Sequence, residues 1–249
     1  MTQVNFGYRK VTPAEKTELV GEVFGSVARR YDIMNDFMSL GTHRIFKRMV
    51  LESSGVRPGD RVLDLAGGTG DMSALFARAT GPSGQVFLTD LNSEMMLVGR
   101  KRLYNDGVAN VSLCQAPAEA LPFADSLFDV ACISFGIRNF TDKDTALTEL
   151  LRVLKPGASL LVLEFSKPEQ PLLKNAYRVF QSLWPLAGQA IVGDSGSYRY
   201  LVESIEVHPD QKALKQMFLD AGFEDVEYHD LVGGIAAIHR GTKPLQVDR

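Results

Sequence analysis

The sequence is poor in several things, and each shortage excludes a class of protein. It has two cysteines in 249 residues. Cys114 and Cys132 fall in apolar stretches that read as strands, without metal-ligand spacing, so they are expected to be buried reduced thiols of a cytoplasmic protein. The four histidines stand beside no cysteine or aspartate at ligand spacing, and no metal site is expected. No G-x-S-x-G elbow or Cys–His arrangement points to acyl transfer. No apolar run approaches the ~18 residues of a membrane span, and Met1 to Lys10 hold no apolar signal core. A net charge of −3 offers no global field for nucleic acid. Internal repeats and low-complexity tracts are absent. What remains is ordinary: 45% hydrophobic and 23% charged residues, enough for one domain with a real core.

Against this background one stretch stands out, Val62-Leu63-Asp64-Leu65-Ala66-Gly67-Gly68-Thr69-Gly70-Asp71. It reads as a buried strand, a glycine turn and a helix start, the layout that brings backbone close to a nucleotide. Glycine reaches positive φ there and has no Cβ to hold a ligand off. Asp71 at the helix start would repel a phosphate, which argues against a dinucleotide pyrophosphate. The next strand ends in Asp90, where an acidic residue hydrogen-bonds ribose hydroxyls in nucleotide-binding βαβ units. A dinucleotide fingerprint needs a third glycine where Ser73 stands. The stretch is more similar to D-x-G-x-G-x-G, the pattern of class I S-adenosylmethionine-dependent methyltransferases, with Asp64, Gly68 and Gly70 in place and Ala66 replacing the first glycine.

Residues 1–13 look poorly structured. Apolar residues recurring at three and four predict a helix over 14–30, a turn-rich stretch over 31–41 and a second helix over 42–53. Strands at 61–66, 85–90, 111–115, 128–134 and 159–165 then alternate with helices at 71–79, 93–104 and 142–154, the last stopped by Lys155-Pro156-Gly157. Such alternation predicts an α/β fold: a doubly wound, mostly parallel seven-stranded sheet. Residues 166–208 break the rhythm with aromatics and turn residues, as substrate-facing insertions do. A helix from Pro209 to Ala221 and strands at 223–231 and 235–240 close the chain and supply an antiparallel edge. The expected division is one domain: a helical cap (1–57), a cofactor-binding core (58–165), the insertion (166–208) and a C-terminal helix and strand pair (209–249).

Several stretches carry a closer resemblance over nearly the whole chain. Tyr31-Asp32-Ile33-Met34-Asn35-Asp36, Phe135-Gly136-Ile137-Arg138-Asn139, Leu163-Glu164-Phe165-Ser166-Lys167-Pro168 and Tyr198-Arg199-Tyr200-Leu201-Val202-Glu203-Ser204-Ile205 resemble the quinone-biosynthesis C-methyltransferases of the UbiE/MenG family. These methylate demethylmenaquinone or a polyprenyl-methoxy-benzoquinol. The resemblance implies S-adenosyl-L-methionine as cofactor and a prenylated quinol as substrate. It implies that Asp64 orients the methionine end, Thr69 and the turn glycines approach the cofactor, and Asp90 holds the ribose. Pro117 and Ala118 would pass the adenine edge, and Ser134 would lie beneath the methionine moiety. Relatives often carry a polar side chain at 117. Proline offers neither N–H nor polar group, so adenine contact there would rest on Ala118 backbone and shape.

Carbon methylation needs an electron-rich ring. A phenol pKa of about 10 means the site should stabilise phenolate or take its proton. Arg138, just past the fourth strand, is the candidate to stabilise that charge, directly or through a water; a structural salt bridge is its plain alternative. Asn139 would position a ring oxygen, and Asp194 and Tyr198 would face substrate. Asp194 and His208 are weaker base candidates that packing or capping could equally explain. Three other functions fit less well. A base-modifying methyltransferase would show N/D-P-P-aromatic where Ser134-Phe135-Gly136-Ile137 stands. A nicotinamide oxidoreductase lacks its third glycine. A non-catalytic module would not need the intact turn. Arg29, Arg30, Arg44, Lys47 and Arg48 beside large apolar residues suit an anionic lipid surface, so peripheral membrane contact is expected. A homo-oligomer or quinone-biosynthesis complex stays open.

Overall fold

The computed structural model describes residues 3–191 and 195–245. A short hairpin, β1 (Val4–Phe6) and β2 (Arg9–Val11), opens the chain where the composition predicts no structure. Three-residue strands are too short to show alternation, and this pair is held by distant groups. Tyr8 hydrogen-bonds Glu203 and Glu206, and Phe6 stacks on Tyr200 at 4.3 Å.

Thr12 and Glu15 form a capping box that starts α1 (Pro13–Val27). After a single 3-10 turn come α2 (Tyr31–Ser39) and α3 (His43–Ser53). The stretch over 31–41 is thus a helix followed by a turn, not a turn alone. Leu40 and Gly41 take positive φ to end it.

The core alternates as expected: β3 (Arg61–Leu65), α4 (Asp71–Thr80), β4 (Gln85–Asp90), α5 (Ser93–Asn105), β5 (Val111–Gln115), β6 (Phe128–Ser134), α6 (Lys143–Val153) and β7 (Leu154–Phe165). β7 starts five residues before the predicted strand, because Leu154 already pairs with Phe128. Residues 166–208 hold three helices, α7 (Pro171–Ser182), α8 (Trp184–Ile191) and α9 (Ser195–Val207). The prolines that suggested turns sit in the first turns of α7 and α8, where a missing N–H costs nothing. α10 (Gln211–Asp220), β8 (Glu224–Leu231) and β9 (Ala236–Thr242) finish the chain.

The sheet order is β5-β4-β3-β6-β7-β9-β8. All neighbours are parallel except those of β9, which runs against β7 and β8. Alternate strand residues feed opposite faces. Val130, Cys132, Leu161 and Leu163 pack with Phe46, Val50, Met72 and Phe76 from α3 and α4. Ala131, Ile133, Leu160 and Val162 pack with Leu147, Leu150, Leu214 and Phe218 from α6 and α10. Cys132 is fully buried and Cys114 partly so, and both are free thiols. The chain order reverses between β3 and β6, and ligands of open α/β sheets bind in the crevice beyond such a reversal.

Candidate active site

Asp64, the penultimate residue of β3, is 1% exposed. Its Oδ2 accepts a 2.6 Å hydrogen bond from Ser73, so the serine that spoils the dinucleotide fingerprint serves this carboxylate. Its Oδ1 has no partner among the described residues. Burial pushes the Asp64 carboxyl up to about 6, against the pull of Ser73 and the Lys47 charge.

The turn that follows is built on positive φ. Ala66 adopts φ +55°, the conformation its missing glycine would have taken, and Gly68 and Gly70 follow at +52° and +81°. For alanine this costs roughly 1 kcal/mol. Opposite it lies Gly136, where a Cβ would fall 2.5 Å from Ala66 Cβ. Gly68 N–H donates to Asp90 Oδ2 at 2.9 Å, and Asn92 N–H to Asp90 Oδ1 at 2.8 Å. Burial raises the Asp90 carboxyl, with these backbone donors opposing. Gly70 lies behind the turn, close to Leu88 and Leu103, and shapes the backbone without facing a cavity.

Two spaces open at the strand ends. The smaller is lined by Asp64, Gly68, Thr69, Ser134 and Phe135, with Asn35 and Lys47 from the cap. Lys47, 7% exposed, donates to Asp71 Oδ2 at 2.9 Å, and Arg102 pairs with the other oxygen. Lys47 is therefore withdrawn from the lipid-facing set, and Arg44 is tied to Asp36 at 2.7 Å. The larger space has a volume of about 730 Å³. Gly68, Asp90, Leu91, Met95, Pro117 and Ala118 form one side, α1 the roof, and Phe135, Gly136 and Asn139 the far wall. α1 is fastened over it at two points. Asn92 Nδ2 donates to Gly21 O at 2.9 Å, and Lys16 Nζ to Phe140 O at 2.7 Å. Burial, then the Lys143 charge, lowers Lys16 to about 8.

Arg138, the candidate to stabilise phenolate charge, forms the salt bridge that was its plain alternative. Its side chain is buried and points to Glu164, with Nη1 2.7 Å from Oε1. Nη1 also donates to Phe135 O at 2.5 Å, and the guanidinium lies 5.6 Å from the Phe165 ring centre. Glu164 accepts from Arg138 N–H as well. The arginine thus braces the turn that carries Phe135 and Asn139, with its Nε left without a partner among the described residues. Asn139 reaches the cavity, and Tyr200 donates to its Oδ1 at 2.9 Å. Tyr198, the expected substrate contact, is fully buried against Gly188; its neighbour Tyr200 is the one joined to the site. Asp194 lies outside the described residues. His208 is 2% exposed, faces no described cavity, and burial followed by the Lys143 and Arg138 charges holds it well below its usual range, so the ring is neutral near pH 7. Reasoning from sequence missed Lys47, Asn35 and Tyr200. For Asn35 and Tyr200 the signal was there, in the two motifs that contain them.

The strand order, the glycine turn after β3 and the acid ending β4 define the class I S-adenosylmethionine-dependent methyltransferase fold. The chain belongs to the ubiE/COQ5 methyltransferase family, whose family model matches residues 11–243. It is 57% identical to the ubiquinone/menaquinone biosynthesis C-methyltransferase UbiE of Ectopseudomonas mendocina, over 96% of this chain and 94% of that one. Among solved structures it is similar to the [4+2]-cyclase SpnF, with a TM-score of 0.68 and 18% identity, covering 92% of this chain and 97% of that one. It is also similar to phosphoethanolamine N-methyltransferase 2 of Haemonchus contortus in complex with S-adenosyl-L-methionine. That match has a TM-score of 0.61 and 16% identity, over 80% of this chain and 52% of that one.

Proposed function

We propose that this chain methylates a ring carbon of a prenylated demethylquinol in ubiquinone or menaquinone biosynthesis, with S-adenosyl-L-methionine as donor. The observation that carries the reading is family membership across nearly the whole chain. The site residues fit the cofactor. Asp64 offers a buried, unpartnered acceptor oxygen suited to the ammonium of the methionine end. Asp90 oxygens keep lone pairs for ribose hydroxyls, and Leu91, Pro117 and Ala118 make an apolar slot for adenine. When bound, the cofactor supplies a methyl group on a sulfonium, an electrophile that needs no protein nucleophile.

The chain's part is to position and activate the acceptor. Asn139, braced by Tyr200, holds a ring oxygen. The Arg138–Glu164 pair fixes the turn that presents Asn139, and Arg138 Nε is the donor left for phenolate charge, directly or through a water. In this reading the cap, core, insertion and C-terminal segments act as one domain. No helix among the described residues is long and apolar enough to cross a membrane, so a bilayer-dissolved quinol is met by peripheral contact at the cytoplasmic face.

The test is methylation of a demethylquinol analogue, followed by mass spectrometry. A gain of one methyl is expected under reducing conditions only, because an oxidised quinone ring is electron-poor. Equal turnover of the oxidised form would overturn the mechanism, and no methylation of any quinol would overturn the assignment.

A further inference from the structure

The opening hairpin reaches the active site only through a second residue. Tyr200, Glu203 and Glu206 follow one another at three-residue steps along one side of α9. The hairpin grips that side. Tyr8 N–H donates to Glu203 and the Tyr8 hydroxyl to Glu206. The Phe6 ring stacks on Tyr200, with centroids 4.3 Å apart and planes 20° from parallel. Tyr200 is 5% exposed. Among the described residues its hydroxyl has one hydrogen bond, to Asn139 Oδ1 at 2.9 Å. Asn139 lines the large cavity, which neither Phe6 nor Tyr200 does. Its Nδ2 has no partner among the described residues.

An amide side chain has an accepting end and a donating end, and the phenol decides which end faces it. Burial, against the nearby Arg138 charge, raises the Tyr200 phenol, so its proton stays on near pH 7. Turned the other way, Asn139 would offer its N–H2 to Tyr200 and leave the buried phenol proton without an acceptor. Such an unmade bond costs stability, so Oδ1 is the end tied to Tyr200 and Nδ2 the end free for a ligand. Phe6 restrains the Tyr200 ring in turn, because a stacked pair sets both the position and the tilt of each ring. We propose that Tyr200 and Phe6 are positioning residues for the methyl transfer. Together they fix the Asn139 amide so that it presents a hydrogen-bond donor, not an acceptor, to a ring oxygen of the methyl acceptor. A donor at that point suits an oxygen that gathers negative charge as its proton leaves. The proposal deepens the quinol reading and rests on it.

Two measurements on the full chain test it, one of them independent of turnover. The first follows methylation of a water-soluble short-chain demethylquinol under reducing conditions. Tyr200→Phe keeps the ring and its stack and removes only the hydroxyl. It should lower kcat/KM for the quinol about tenfold, while the calorimetric Kd for S-adenosyl-L-methionine stays at the wild-type value. Phe6→Ala should lower kcat/KM about threefold, and Phe6→Tyr should restore it. In an Asn139→Ala background neither Tyr200→Phe nor Phe6→Ala should cause a further loss, because both act through that amide. The second measurement is the NMR signal of the Asn139 side-chain amide, identified by its disappearance in Asn139→Asp. One resolved pair of N–H2 signals is expected in the wild type. That pair should shift and broaden in Tyr200→Phe and Phe6→Ala and return in Phe6→Tyr. Unchanged kcat/KM in Tyr200→Phe would overturn the proposal, as would losses that persist undiminished in the Asn139→Ala background. An Asn139 amide signal indifferent to both substitutions would overturn it as well. A wild type that methylates no quinol would sink the proposed activity instead, and the amide signals would still decide whether Phe6 and Tyr200 fix Asn139.

Discussion

Asp64 holds its charge at a cost, and its usefulness depends on pH. Burial raises the carboxyl from 3.8 to about 6. Without ligand, the folded state keeps a proton that the unfolded chain has released, so this group's contribution to stability declines as pH rises from about 4 to 6. A cationic ligand needs the opposite form. Cofactor affinity is therefore expected to fall as pH drops below about 6, by up to about tenfold per unit, when followed by calorimetry at stepped pH. Asp64→Asn should bind weakly and lose that slope; a wild-type affinity flat from pH 7 to 5 would remove Asp64 from the ammonium site. Arg138 can be examined in the same spirit. Arg138→Ala should lower kcat by about 10²–10³ with little change in cofactor Kd, and Arg138→Lys should rescue only partly, because lysine keeps charge and loses the planar fork. Glu164→Gln separates brace from donor: kcat should survive there if the donor role dominates, and fall alongside Arg138→Ala if bracing is all Arg138 does. Asp64, Gly68 and Asp90 were legible from their place at or just past the ends of apolar strands, and Pro117 from the resemblance alone; all four line one of the two spaces. Lys47 comes from α3, and no local pattern connects it to the turn; Tyr200 comes from α9, and only the motif that contains it pointed to the site.

At the scale of elements, the regular core and the cap helices α1 and α3 were legible, and the opening hairpin, α2 and the insertion helices were not. Apolar strands bounded by glycine and charge are easily read. α2, α7 and α8 hide because proline and the Asp-Asn pairs, which signal turns, here start helices or lie within them. The working element is α1, a roof fastened by Asn92 to Gly21 and by Lys16 to Phe140. Lys16→Met keeps the apolar stem and removes one fastening. Loss of a buried cation offsets loss of its hydrogen bond, so the global Tm should change little. Local opening of α1 should become easier, seen as faster amide exchange over 13–27 and quicker cofactor release. Unchanged exchange in α1 would show that Lys16 does not hold the roof.

At the scale of the whole molecule, the sheet order alone places the site but leaves the chemistry open. SpnF shares this architecture, and its name is that of a [4+2]-cyclase. Chemistry enters through side chains at the reversal of strand order, where the loops after β3 and β6 come within one methyl group of each other. Ala66 and Gly136 divide that space, and only one of them can carry a Cβ. Gly136→Ala alone should destabilise the protein by roughly 1–3 kcal/mol, as a fall in Tm. Ala66→Gly alone should be tolerated, since glycine accepts φ +55° without strain, and the double substitution should recover most of the loss. Additive effects would show that the loops can move apart. If the cycle closes as expected, the two positions amount to a single heritable choice: a lineage can pass the methyl from one loop to the other, but only by changing both residues together or by changing Ala66 first.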